Sequence, residues 1–77
     1  MIEEFAIVAL TLDLYDYDLK SGDTGTVVDV VEGGKAYVVE FMTMLGKTIA
    51  VAEVSPGQLR PVQENEIANA RQIVTSH

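Results

Sequence analysis

The sequence has no cysteine and no tryptophan, and its single histidine is the last of 77 residues. The missing cysteines exclude a disulfide scaffold, a cysteine-based zinc site and a thiol nucleophile. A Ser-His-Asp arrangement would depend on His77, at the position where ordering is weakest. Positive charge is scarce too: five Lys and Arg against twelve Asp and Glu give a formal charge of −7. Five cations cannot neutralise many phosphates, which argues against a general nucleic-acid binder. Long apolar runs are also lacking. The longest, residues 5–10, falls far short of the roughly 20 residues a membrane helix needs. Glu3 and Glu4 stand where a secretory leader would be basic. A soluble, cytoplasmic, single-domain protein is the expectation.

What the chain does have is apolar residues, 48% of the total, enough for a core. Strand signals dominate their arrangement. Residues 5–10, 24–31, 35–42 and 47–54 are runs rich in β-branched residues, and 59–62 can form a short fifth strand. Glu32-Gly33-Gly34-Lys35 signals a hairpin, Leu45-Gly46 a second tight turn, and Ser55-Pro56-Gly57-Gln58 one turn of 3₁₀ helix. Residues 11–23 form a long, acidic loop of the kind that is either functional or packed over the end of the fold. Gly22 and Gly25 read as tight turns where the second run begins. Alternation turns Tyr37, Val39 and Phe41 inward, opposite Glu40; Asp29 turns Val28 and Val30 inward; Glu53 turns Ala50, Ala52 and Val54 inward. After Pro61, Ile67, Ala70 and Val74 fall at helical spacing and predict a short C-terminal helix or a flexible tail. The fold class expected is all-β: a five-stranded SH3-like barrel over residues 1–62, with the helix or tail over 63–77.

Several segments together resemble a known family. They are Val8-Ala-Leu-Thr11, Leu19-Lys-Ser-Gly-Asp-Thr-Gly-Thr-Val-Val28, Ala36-Tyr-Val-Val-Glu-Phe41, Gly46-Lys-Thr-Ile-Ala50 and Gln58-Leu-Arg-Pro-Val62. In this order and spacing they resemble the bacterial domain-of-unknown-function family 4926, over residues 5–62. The resemblance implies a small SH3-like barrel and no established activity. Members that sit beside nuclease-like or toxin-like genes suggest an antitoxin or immunity role. Two features depart from the family pattern: the hairpin tip Met42-Thr-Met-Leu45 is more apolar, and the tail lies beyond it. The string Leu14-Tyr-Asp-Tyr17 is similar to the motif with which eukaryotic SH3 domains line a groove for proline-rich peptides. Here the groove tryptophan is missing and only four residues separate Tyr17 from Gly22, so Tyr15 and Tyr17 read as half-buried loop aromatics.

Chemistry finds little purchase in these patterns. Asp13, Asp16, Asp18 and Asp23 invite a calcium reading, but from either start Lys20 stands at a ligand position of the loop motif. Gly22-Asp-Thr-Gly25 precedes a strand, so no helix N-terminus follows to hold a phosphate. A chain this small leaves little room for a substrate cleft, and neither a catalytic residue nor a cofactor is expected.

Two surfaces remain. Met42, Met44 and Leu45 form an apolar hairpin tip, and Val38, Ile49 and Val51 are expected beside them on the outer face. Asp13, Tyr15, Asp16, Tyr17 and Asp18 form the acidic loop. The whole net charge lies in residues 1–32, which hold eight acids and one base; residues 33–77 hold four of each. These surfaces suit a non-enzymatic protein-binding module whose acidic loop steers a basic, toxin-like partner. The alternatives are a homo-oligomeric assembly subunit, in which the apolar face meets its own copy, and a peptide- or RNA-binding barrel.

Overall fold

The computed structural model describes residues 1–73. Five antiparallel strands follow one another: β1 (Ile7–Leu10), β2 (Thr24–Val31), β3 (Ala36–Met42), β4 (Thr48–Val54) and β5 (Leu59–Pro61). They form one sheet in the order β4-β3-β2-β1-β5. Single 3₁₀ turns lie at Tyr15–Tyr17 and Pro56–Gln58. The second begins with a capping box, in which Ser55 and Gln58 satisfy each other's backbone N–H groups. Each strand lies within an expected run. The first is shorter because Phe5 adopts a φ of 70°, which takes it out of strand geometry, while its N–H still reaches the Val27 carbonyl at 2.6 Å.

One core gathers side chains from every strand: Val8 and Leu10, Val27, Tyr37, Val39 and Phe41, Ala52 and Val54, and Leu59, with Leu19 from the acidic loop. The two outermost strands, β4 and β5, share this core, so the sheet must curl around it. It does not close: among the described residues no ladder joins β4 to β5. The expected barrel is therefore an open, curled sheet. Its edges are held by shared apolar burial instead of by hydrogen bonds.

Alternation succeeds on β3 and β4. Tyr37, Val39 and Phe41 are buried, as are Ala52 and Val54, and Ala50 packs against the core. On β2 the register shifts between Val27 and Asp29, opposite β3. That bulge turns Gly25 and Val27 inward ahead of it and Val30 inward after it, and leaves Val28 half-buried and outside the core cluster. The inward placement expected for Val28 fails for this reason. Gly25 is not at a turn either. A Cβ there would lie 2.6 Å from Val39 Cγ1 and 2.8 Å from the Glu40 carbonyl, so the close approach of β3 demands glycine. Gly22, with φ of +90°, is a turn glycine as expected.

The tail departs most from expectation. Residues 63–73 contain one turn, at 64–65, and no helix. Ile67 is 93% exposed and Ala70 is exposed. Val74, the third member of the expected stripe, lies outside the described residues. A helix with so narrow an apolar stripe has little to bury. Two ion pairs hold the segment to the sheet in a different path.

Candidate functional site

Three hydrogen bonds close the β3–β4 hairpin tip. Thr43 N–H donates to the Lys47 carbonyl at 2.7 Å, Gly46 N–H to the Thr43 carbonyl at 2.9 Å, and Lys47 N–H to Thr43 Oγ1 at 3.0 Å. Gly46 takes the positive φ (94°) that this tight loop requires. With the polar groups turned inward on themselves, the apolar side chains point away: Met44 is 71% exposed and Leu45 99%. Both are large residues whose exposure the turn geometry enforces.

The expected apolar surface is divided in two. Val38 and Val51 lie on the outer face beside Glu53 and Glu40, their cross-strand neighbours. Glu40, which accepts a 2.7 Å hydrogen bond from the Thr48 hydroxyl, lies on β3 between Val38 and Met42. Met42 and Met44 join Ile49 in lining a groove of about 500 Å³. Ile49 was expected on the outer face. The register shift between Phe41 and Met42 turns it toward the core margin, where it packs against the buried cluster.

The far wall of this groove is the tail. Val62 N–H extends the β1–β5 ladder by one bond, to the Ile7 carbonyl at 3.1 Å. The chain then turns: Glu66 accepts from Arg60 Nη1 at 2.8 Å and from the Gln63 N–H at 2.7 Å. It next runs back to Asp23, at the start of β2, where Arg71 donates both Nε–H and Nη2–H to the carboxylate. The Nε bond is 2.7 Å long. The 63–73 segment thus forms a strap, and Ile67 and Ile73 face the groove opposite Ile7, Met42 and Met44. Ala9 records the same arrangement. It is 1% exposed yet belongs to no core cluster, and it too lines the groove.

The electrostatics of the latch follow from these bonds. Burial pushes the Asp23 carboxyl up. The hydrogen bond from Arg71, the Lys20 backbone N–H and the charges of Arg71 and Lys20 outweigh it and hold the group below its ordinary 3.8. Glu66 is held at about 2, against an ordinary 4.5, chiefly by the hydrogen bond from Arg60 and then by the Gln63 N–H. Arg71 is raised in turn by its bond to Asp23, with smaller help from the charges of Asp23 and Asp13.

The acidic loop is more ordered than its composition suggests. Leu14 and Leu19 form a two-bond bridge, with the first 3₁₀ turn between them. Leu19 plugs into the core. Asp13 accepts the Ser21 N–H and Asp23 the Lys20 N–H, each at 2.8 Å. These two carboxylates are structural. Asp16 and Asp18 accept no side-chain-mediated bond among the described residues and project outward with Tyr15 and Tyr17. Tyr15 is 82% exposed, well beyond the half-burial expected; Tyr17 is closer to that expectation. Asp13, Leu14, Tyr15, Asp16 and Tyr17 line a shallow second cleft of about 200 Å³.

The structure therefore brings Met42, Met44 and Ile49 together, leaves Leu45 at the tip, and sets Val38 and Val51 apart. The latch residues Asp23, Arg60, Glu66 and Arg71 were not singled out as a set in the sequence. Their only signal was that Arg71 is the one base of the tail. Among the described residues no three of His, Cys, Asp and Glu converge as a metal site would require, and no helix is long and apolar enough to cross a membrane.

No curated protein and no solved structure matches the chain. A family model described as "Domain of unknown function (DUF4926)" matches residues 4–61, which takes in all five strands, the acidic loop and the hairpin tip, and stops before the strap. On that match the chain belongs to the DUF4926 family.

Proposed function

We propose that this protein is a non-enzymatic, cytoplasmic protein-binding module that docks a basic partner through its hairpin tip, in the manner of an antitoxin or immunity protein. The observation that carries the reading is the exposure of Met44 and Leu45 on a tip that Thr43, Gly46 and Lys47 close with three hydrogen bonds. A large apolar side chain held in water is costly unless a partner covers it. Methionine suits such a surface, since its flexible thioether adapts to what it meets. The loop carboxylates Asp16 and Asp18, within a chain of charge −7, favour a cationic partner and speed its encounter.

The test is affinity purification from the native cells, comparing the full chain with the Met44→Asp/Leu45→Asp variant. The reading expects a stoichiometric basic protein with the wild type and its loss with the variant, whose circular dichroism is unchanged. Equal recovery of that protein by both chains would remove the tip from the interface.

A second reading is favoured by β4. It is an edge strand of seven residues with no proline and one charge, Glu53, and among the described residues its outer backbone has no backbone partner. Such an edge can pair with its own copy, as an assembly subunit would. Mass that rises with concentration would support that reading.

A further inference from the structure

The strap walls one side of the groove, and its Arg71 takes up the Asp23 carboxylate at the groove's edge. It adds no strand to the sheet, and apart from the turn at 64–65 it has no regular structure. Its hold consists of two partly exposed ion pairs, Arg60–Glu66 and Arg71–Asp23, with Ile73 half-buried at the groove. Exposed ion pairs contribute little and weaken with salt. Ile67 faces the groove yet stays 93% exposed, and about 500 Å³ between strap and sheet is unfilled. The face beneath is therefore only loosely covered. The strap also lies beyond the span matched by the family, whereas the groove wall it lies against (Ile7, Asp23, Met42, Met44, Ile49) falls within it.

The way the strap sits specifies what else fits. Asp23 is fixed by its bond from the Lys20 N–H, and it presents both carboxylate oxygens to a guanidinium in fork geometry. Two residues on, Ile73 lines the same groove as the apolar side chains of the sheet. We infer that the groove is a docking site for an extended segment of a basic partner protein, in which an arginine flanked by apolar side chains displaces Arg71 from Asp23. The strap then acts as a resident competitor that lowers the apparent affinity of every incoming segment by the same factor, so that only a segment with this pattern binds well enough to displace it. The groove opens beside the exposed tip, so one partner can engage Met44 and Leu45 while its segment enters beneath the strap. This deepens the protein-binding reading and rests on it.

The experiment uses the full chain with ¹³C-labelled methionine methyl groups. Met42 and Met44 report on the groove; Met1, packed near Gly34 at the opposite hairpin, is the control. Arg71→Glu should shift the Met42 and Met44 signals and leave Met1 in place. A synthetic peptide of residues 63–73 should then bind the Arg71→Glu chain, read at the same two methyls, and bind the wild type about tenfold more weakly, because Arg71 already holds Asp23 there. The same peptide with Arg71→Glu should bind neither. Unmoved methyl signals in the variant, or equal peptide affinity for both chains, would overturn the inference. Were the peptide to fail while the tip variant still lost its partner, the groove inference alone would fall. Were no foreign partner recovered at all, the protein-binding reading would fall with it.

Discussion

Gly25 shows how a single residue ties the curl of the sheet to its sequence. Val39 and the Glu40 carbonyl lie so close that a methyl group cannot fit without moving backbone. Gly25→Ala should cost about 1–3 kcal/mol, as overpacking of a tight core does, read as a lower urea midpoint with an unchanged slope. Phe41, 1% exposed near the end of β3, is the converse case. Phe41→Ala should cost about 3–5 kcal/mol from lost burial and the cavity left behind. The inward set Tyr37, Val39 and Phe41 was legible in the sequence, because one charged residue, Glu40, fixes the phase of a regular strand. Val28 and Ile49 were not. Each lies at a β-bulge, and a bulge resets the phase without leaving a residue signature. The role of Gly25 is hidden in the sequence for a related reason: a close approach between strands depends on which residue lies opposite, and the local string does not contain that.

Among the elements, the strands, both hairpin turns and the 3₁₀ turn before β5 were legible, since each has local chemistry of its own. The strap was not. Its Ile67, Ala70, Val74 spacing fits a helix, but the segment's path is set by partners far away in sequence, Arg71 to Asp23 across 48 residues. This latch has a definite pH response. Both acceptor carboxylates have lowered values in the folded chain, so their contribution is fully present above their ordinary values of 4.5 and 3.8. It is lost as pH falls, for Glu66 toward about 2. The Met42 and Met44 methyl signals should therefore move between roughly pH 4.5 and 2 while the core methyls hold their positions. Added salt at neutral pH should move them in the same direction, because the pairs are partly exposed and screened. A pH profile flat across that range would mean that the two ion pairs do not hold the strap.

At the scale of the whole molecule, the chain has little core to spare, yet it leaves a Met-Leu tip exposed, the β4 edge unpaired among the described residues and a groove only loosely covered. Small size makes such exposure costly, and that cost is the ground for the intermolecular role proposed above. The all-β class was legible from strand-length runs and turn residues. The open sheet was not, because closure depends on whether the two edges β4 and β5 meet. The candidate surface was legible in part: Met42, Met44 and Leu45 were identifiable as apolar residues at a turn, whereas the separation of Val38 and Val51 by Glu40 and the groove beneath the strap arise only in three dimensions. The two readings of the surface part on what covers it. The most direct measurement is the mass of the purified full chain by light scattering across a dilution series. A monomer near 8.4 kDa at every concentration is the predicted result, with the tip left for a foreign partner. A stable dimer that Met44→Asp/Leu45→Asp converts to monomer would contradict it, and would assign the surface to a second copy of the chain.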